Sequence, residues 1–551
     1  MGLSKTTYKM GLNCERSLWL HVNEPQEADE RFADSSAALG AEVGILARDY
    51  FEGTVCADNG DADDPGRLAK AALRTTQLLG EGCPCIAEAT FFYDGHKCQV
   101  DLLRRVEGGF ELIECKSACN VCKSKGCIRE DYLEDASFQL WLLRQCGVPV
   151  SAVKIMHPDS GYRLHGSLDV RAFFAFEDVT AGCEERTRGM GERVRRIAEV
   201  ASLPTEPAAR PGACCCSPKC PFLGHCIPSA KNPDSVVWVG GISRAKAIDY
   251  ILGKGIDTMG KLLRSTPAER GQRDCRALSA TVRAQAAGAD YVDVDKLAAW
   301  LANLEGEDLY WLDFETCQYP VPRYEGDRPW AQVPTQYSLH ITRAGGEVEH
   351  REFLAHAGRD PWREVAESLA SDIPMGAVTV AYNKTFERDR IREMAAKFPD
   401  LESRLLDIVR EDNPYGKARK DTDLSGLGLV DLIDPFRKGW VYRPAMQGSK
   451  SIKFVLPALF PDDPALDYHN LASHSEDAPA VQNGTMAIAA FAALEDMGDP
   501  GQVAATRENL LRYCELDTWA MVAIYRRLLS IAKGDGFDAD IEVSMGSVWL
   551  P

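Results

Sequence analysis

Long apolar runs are absent from this chain. Across 551 residues no stretch of about 18 consecutive apolar residues occurs, so no membrane-spanning helix is expected. The start, Met1-Gly2-Leu3-Ser4-Lys5, has no apolar signal core, and a cytoplasmic protein is the expectation. Positive charge is in deficit as well: 63 Lys and Arg face 82 Asp and Glu, for a net charge of −19. That balance argues against a protein that coats nucleic acid non-specifically, although phosphate binding needs only local basic patches. Cysteine nearly disappears after residue 226, where only Cys275, Cys317 and Cys514 remain of 19. Internal repeats and low-complexity segments are also missing.

What remains is the composition of an ordinary soluble globular protein, 45% hydrophobic and 26% charged. Its length implies two to three domains. In a cytosolic chain, cysteines crowded into the N-terminal part point to metal or iron–sulfur ligation rather than disulfides. Isolated ones such as Cys146 and Cys183 equally suit small buried thiols.

Strand-like alternation runs through 83–117. The segment 85–93 precedes an Asp94-Gly95 turn, 98–103 follows it, and a Gly108-Gly109 turn leads into 110–116. Helical periodicity at 37–51 and 131–146 flanks these hairpins, which predicts an α/β core. Residues 204–234 are rich in Pro and Cys and read as a metal-tied closing segment. From 236 to about 303 the pattern is helical. There Gly253-Lys254-Gly255-Ile256 resembles a helix–hairpin–helix spacer able to offer backbone amides to phosphates, although a plain helical linker is the favoured account of it. A second α/β domain begins near 307, with strands at 308–315, 334–343, 347–354 and 377–382. Helices follow at 361–371, 386–398 and 502–532.

Each α/β segment carries acids at metal-binding spacing. Residues i and i+2 of a strand share a face, so Glu114 and Lys116 project together and Asp101 on the neighbouring strand can converge on them. Two carboxylates can hold Mg²⁺ while the lysine orients water or phosphate; a cross-face salt bridge is the structural alternative. In the second segment Asp313 and Glu315 are again i and i+2. Tyr513 and Asp517 are i and i+4 on a helix, and Glu387 opens a helix after a strand. Four acids meeting from these elements would support two-metal phosphodiester hydrolysis. Asp389 is turned away from Glu387 by helical spacing. Arg437, Lys438, Arg443, Lys450 and Lys453 form an acid-free basic stretch with Trp440 and Tyr442 interleaved, either a nucleic-acid contact or a solvated loop.

The first set resembles the PD-(D/E)XK core of RecB-type and CRISPR-associated iron–sulfur nucleases. That resemblance adds Gln139 after the lysine strand and an acid on the first core helix, for which Glu42 stands. It also implies a [4Fe–4S] cluster, or structural Zn²⁺, on Cys14, Cys216, Cys220 and Cys226, with Cys214 or Cys215 able to replace Cys216. The group Cys119, Cys122 and Cys127 departs from the family pattern; a zinc knuckle completed by Cys83, Cys85 or Cys115, or an insertion, would explain it. The second set resembles DnaQ-like (DEDD) 3′→5′ exonucleases of the ribonuclease H-like fold. Asp313 and Glu315 match the first motif, Asn383-Lys384-Thr385-Phe386-Glu387 the second with Glu for Asp, and Tyr513 and Asp517 the tyrosine form of the third.

The whole therefore resembles an uncharacterised bacterial family that fuses the two. The implied domains are a RecB-like iron–sulfur nuclease domain at 1–230, a helical spacer at 231–304 and a DnaQ-like domain at 305–540. The resemblance implies catalytic Asp101, Glu114, Lys116, Gln139, Asp313, Glu315, Glu387, Tyr513 and Asp517, with Mg²⁺ or Mn²⁺ as cofactor. The expected activity is cleavage of DNA in repair, recombination or defence. An RNA exonuclease with a binding-only N-terminal domain, and a non-catalytic iron–sulfur nucleic-acid-binding protein, are the alternatives. No Gly-x₄-Gly-Lys-Ser/Thr loop is present, so any unwinding would come from a helicase partner.

Overall fold

The structure is a computed structural model that describes residues 2–28, 37–61, 63–124, 127–208, 220–227, 232, 234–239, 245–271, 278–410, 422–424, 426–471, 473 and 478–539. The chain forms two compact units, Met1–Pro228 with Tyr319–Ala331, and Ser229–Gln318 with Gln332–Pro551. The stretch 231–304, expected as a spacer, lies within the second unit, and both units are mixed α/β.

The first unit is built on a six-stranded sheet. Its strands are β1 (Thr54–Cys56), β2 (Cys85–Tyr93), β3 (His96–Val106), β4 (Gly109–Cys115), β5 (Val150–Pro158) and β6 (Phe174–Asp178), hydrogen-bonded in that order. Asp94 and Gly95, at φ +47 and +78, make the two-residue turn that folds β2 antiparallel onto β3. Between β3 and β4 the two-residue turn is Glu107-Gly108, with Gly108 at φ +81, and Gly109 already pairs with Val106 as the first residue of β4. β4 and β5 run parallel, which demands a crossover, and helix α4 (Glu130–Gln145) supplies it.

Alternation along β4 sends Leu112 into a core with Phe138 and Leu142 of the crossover helix. Ile113 points into the opposite core with Val43 and Met156. Helix α1 (Lys5–Asn13) starts at a capping box in which Ser4 and Thr7 satisfy each other's backbone amides. Its Tyr8 stacks on Phe138, with ring centroids 4.9 Å apart. Helix α2 (Glu15–Asn23) follows at once with Cys14 as its cap, and helix α3 (Ala37–Ala47) supplies Val43 to the opposite face.

The second unit has a five-stranded sheet of β7 (Leu309–Tyr319), β8 (Ala331–Thr342), β9 (Val348–Leu354), β10 (Val378–Ala381) and β11 (Leu429–Asp431). The spatial order is β9-β8-β7-β10-β11. β8 and β9 form an antiparallel hairpin, while β10 runs parallel to both β7 and β11. Helix α5 (Thr385–Lys397) begins just after β10. Helix α6 (Pro500–Lys533) is 34 residues long; Asp499 caps its start, Pro500 fills its first position, and Gly534 at φ +97 ends it. From Tyr513 to Leu528 nearly every α6 side chain is buried, so this helix is a core element rather than a surface one. Among the described residues no helix is long and apolar enough to cross a membrane.

Trp311 anchors β7 to this helix. Its side chain is fully buried, its indole N–H donates to Thr342 Oγ1 at 3.0 Å, and its ring lies 5.1 Å from that of Tyr525. Trp311→Ala should destabilise the second unit by about 3–5 kcal/mol, read as a lowered urea midpoint at unchanged slope. A loss below about 1 kcal/mol would contradict this packing.

Candidate active sites

In the first unit β3, β4 and α4 bring the expected polar set together. Asp101 Oδ2 accepts the backbone N–H of Cys115 at 2.6 Å, which fixes its carboxylate beside β4. Glu114 is 1% exposed and its oxygens are taken: Oε1 accepts from Lys116 Nζ at 2.6 Å and Lys5 Nζ at 3.0 Å, and Oε2 accepts from Gln139 Nε2 at 2.6 Å. Lys116 Nζ also reaches Asp135 Oδ2 at 2.7 Å, and Lys9 Nζ meets the same oxygen at 3.1 Å.

Three ammonium groups thus face three carboxylates. Burial and the charge of Glu114 push the Asp101 carboxyl well up. Burial would raise Glu114 too, but the charges of Lys5 and Lys116 outweigh it and hold this carboxyl below the ordinary range. The site is largely neutralised by its own lysines. A divalent cation would fit Asp101 readily but would have to displace Lys5 from Glu114.

Sequence reasoning missed Lys5, Lys9 and Asp135. Lys5 and Lys9 are i and i+4 on α1, and Asp135 and Gln139 are i and i+4 on α4, so helical spacing was the available signal. It also missed Glu88 of β2. The β2–β3 pairing skips from Ala87–Leu102 to Ala89–Val100, and Glu88, opposite Asp101, has φ +54. Such a backbone is costly for a side-chain-bearing residue and is typical of functional sites. Glu88 is ion-paired with Arg48 at 3.1 Å. Glu42 is half-buried; burial raises its carboxyl and the charge of Arg323 opposes this.

The second site has the opposite electrostatics. Carboxylate oxygens of Asp313, Glu315 and Asp517 lie within 4.8 Å of one another, a separation one or two metal ions can bridge. Glu387 is 2% exposed, and its Oε2 is buried without a hydrogen-bond partner. Its charge, with those of Asp517 and Glu315, adds to burial in raising the Asp313 carboxyl. Burial likewise raises Glu387, Asp517 and Glu315, the last from an ordinary 4.5 to about 8. Lys453 is the cation whose charge opposes this at Glu315 and Asp517. The charge of Arg390 opposes the shift at Glu387, so four acids meet only two opposing cations among the described residues, and with an orphaned buried oxygen among them they fit a divalent metal.

Tyr513 is buried, and burial with the charge of Asp517 raises its hydroxyl far above the ordinary value, so it stays protonated. Tyr468, not anticipated, donates its hydroxyl to Asp517 Oδ1 at 2.6 Å. Asp431 is a second unforeseen acid: its Oδ1 accepts the backbone N–H groups of Asn383 at 2.8 Å and Lys384 at 3.3 Å, and its charge acts on Glu387. Asn383 has φ +68, a left-handed turn that Asn tolerates, and this sets where α5 and Glu387 begin.

Of the proposed cluster ligands, Cys14 caps α2 by accepting the Ser17 amide at 3.4 Å, and the charges of Cys14 and Cys226 both act on Arg16. Cys220 and Cys226 pack against a core of Trp19, Leu20, Val200 and Phe222. Cys214, Cys215 and Cys216 lie outside the described residues, as does the Cys127 side chain. Cys119 and Cys122 are half-buried. Cys83 belongs to one core, whereas Cys85 and Cys115 belong to the other, and burial raises the Cys85 thiol to about 11.

The basic stretch is a correction. Its window holds no acid in sequence, yet the fold brings acids to it: Arg437 pairs with Asp431 at 3.1 Å and with Asp434, Lys438 with Asp434 at 3.1 Å, and Arg443 with Asp290 at 3.7 Å and with Asp538. Trp440 and Tyr442 are 3% and 6% exposed, so they are core residues rather than stacking platforms. Lys450 Nζ, by contrast, meets only the Arg437 carbonyl among the described residues, at 3.4 Å.

Residues 310–451 match the family described as Domain of unknown function (DUF2779). The match holds Asp313, Glu315 and Glu387 but ends before Tyr513 and Asp517. The chain is 28% identical over 229 residues to the "Uncharacterized protein MG366 homolog" of Mycoplasma pneumoniae, covering 40% of this chain and 32% of that protein. It is 25% identical over 246 residues to the "Uncharacterized protein UU173" of Ureaplasma parvum, covering 42% and 33%. The chain therefore spans about a third of the length of these curated relatives. No solved structure matches.

The second site makes metal-free stability depend on pH. Acids whose folded pKa lies above the unfolded one bind more protons when native, so stability falls as pH rises between the two values. For Glu315 that window is 4.5 to about 8. The metal-free melting temperature of the second unit should fall across it, Glu315→Gln should flatten the fall, and Mg²⁺ or Mn²⁺ at the alkaline end should reverse it. A flat profile insensitive to metal would refute the assignment of these acids as an uncompensated cluster.

Proposed function

We propose that this protein is a metal-dependent nuclease that hydrolyses phosphodiester bonds of DNA in repair, recombination or defence, and that its second site works as a 3′→5′ exonuclease. The observation that carries this reading is the convergence of Asp313, Glu315, Glu387 and Asp517 in one buried, under-compensated cluster. The strand order β9-β8-β7-β10-β11, with DxE on the central strand, supports a ribonuclease H-like, DnaQ-type domain over 305–540. Two antiparallel hairpins, a crossover helix and a parallel strand likewise support a PD-(D/E)XK-like domain over 1–230. We assign its cluster, [4Fe–4S] or zinc, to Cys14, Cys216, Cys220 and Cys226.

Mg²⁺ or Mn²⁺ at the four acids would lower the pKa of the attacking water and offset charge on the scissile phosphate. The chain supplies the rest. Tyr513 keeps its proton and orients the water as a hydrogen-bonding hydroxyl, not as a base. Tyr468 holds the Asp517 carboxylate in place, and the exposed Lys453 ammonium is within electrostatic reach of the same acids to meet a phosphate.

For the first unit a second reading is favoured by one observation, the pairing of Glu114 with its own lysines. There the unit binds nucleic acid without cutting it. Matched single strands of DNA and RNA, labelled at either end and incubated with Mg²⁺ or Mn²⁺, separate these readings. Asp313→Asn should reduce 3′-end degradation on the order of 10³-fold, the size expected when several kcal/mol of charge stabilisation is lost. Lys116→Ala should remove a distinct activity if the first site cuts, and leave all cleavage intact if it only binds. Cleavage unchanged in both variants would overturn the proposal, and faster loss of RNA than DNA would overturn its substrate.

A further inference from the structure

On the side of α6 away from Tyr513 and Asp517 lies a second constellation of metal-ligating groups: His340 of β8, His350 of β9 and Glu515 of α6. His340 and His350 are directly opposite each other in the antiparallel pair, which puts both imidazoles on one face of the sheet, with ring centroids 4.5 Å apart. Glu515 is two residues from both Tyr513 and Asp517, so helical geometry turns it to the other side of α6. One ligand atom from each of the three lies within 4.8 Å of the others.

Hydrogen bonds fix which nitrogens are free. Thr518 Oγ1 donates to the Glu515 carbonyl at 3.0 Å, and a hydroxyl has a single proton. Its contacts with His340 Nδ1 at 2.8 Å and Ser338 Oγ at 2.7 Å must then be accepted ones. Ser338, having given its proton to Thr518, accepts from His350 Nε2 at 2.9 Å. The arrangement that satisfies all four contacts leaves lone pairs on His340 Nε2 and His350 Nδ1. His350 Nδ1 lies 3.7 Å from Glu515 Oε1, so two acceptors approach each other with no proton between them. Burial lowers both imidazoles, His340 to about 3 and His350 to about 4, and keeps them neutral near pH 7.

We infer that His340, His350 and Glu515 form a binding site for a transition-metal dication of the zinc class, separate from the all-carboxylate site on the other side of the same helix. Two neutral imidazoles select zinc over magnesium, which prefers oxygen. A ligating histidine usually donates its other ring N–H to an outer-shell acceptor that fixes the tautomer, and here the Thr518 and Ser338 hydroxyls take that place. Zinc–nitrogen bonds of about 2.0–2.1 Å require ligand atoms about 3.3 Å apart, so modest side-chain rotation closes the site. His350 and Glu515 side chains are 23% and 15% exposed, which leaves an entry path and room for a water ligand. The ion would clamp the β8–β9 hairpin to the helix that carries Tyr513 and Asp517.

The test is zinc retention by the full chain after chelation, reloading with Zn²⁺ in excess Mg²⁺ and gel filtration. Wild type should keep one more equivalent of zinc than His350→Gln or Glu515→Gln. Zinc should also raise its melting temperature by more than it does in either variant, because the cysteine and carboxylate sites are common to all three. Equal zinc content and equal thermal shifts would overturn the inference. Should His350→Gln fail to fold, Glu515→Gln alone decides, since that change is isosteric and partly exposed. Loss of nuclease activity in Asp313→Asn bears only on the carboxylate site and leaves this result independent.

Discussion

Four carboxylates buried within reach of one another are the constraint on which the second unit is organised. Burying an uncompensated charge costs several kcal/mol, and each added like charge deepens the penalty. Such a cluster persists only on a scaffold that cannot relax. β7 is the central strand, with neighbours on both sides, and α6 is buried along most of its C-terminal half. Asp313, Glu315 and Asp517 therefore sit on a central strand and a deeply buried helix, and the repulsion among the acids is stored as a demand for metal.

The first unit resolves the same problem differently. There Lys5, Lys9 and Lys116 are folded in among Asp101, Glu114 and Asp135, so charge is balanced without any ion. A balanced site costs less to fold but has less to gain from a metal. The two sites are unlike chemically even though both sequence signatures place paired functional groups at i and i+2 of a strand, Glu114 with Lys116 in one and Asp313 with Glu315 in the other. What separates them is a helix distant in sequence: α1, more than 100 residues before Glu114 in one chain, delivers the neutralising lysines.

That distance marks the limit of legibility. Hairpin strands around Asp94-Gly95 and Gly108-Gly109, the crossover helix, and the strands and helices carrying Asp313, Glu387 and Asp517 could be read from local alternation and periodicity. β1, β6 and β11 could not, because strands of three to five residues are too short to carry a period-two signal, and in β5 consecutive buried residues at its C-terminal end mask the alternation. The same holds for charge. Arg437 to Lys453 is free of acids only along the chain; Asp290, Asp431, Asp434 and Asp538 reach it through tertiary contacts. The burial of Trp440 and Tyr442 is equally invisible along the chain, since a window cannot show which side of a loop faces the core.

Glutamate at position 387, where the resembled motif has aspartate, follows from the neighbouring acid. Asp431 at the end of β11 takes the backbone amides of Asn383 and Lys384, so it fastens the start of α5 from below. Arg437 pairs with its second oxygen at 3.1 Å. With the helix start held there, a longer arm lets the residue at 387 reach the other acids while its orphaned Oε2 remains available. The basic loop thus has a structural duty at Asp431 and Asp434. The cations it leaves for a phosphate backbone are Lys450 and Lys453, the latter already within reach of the acids that would hold the metal.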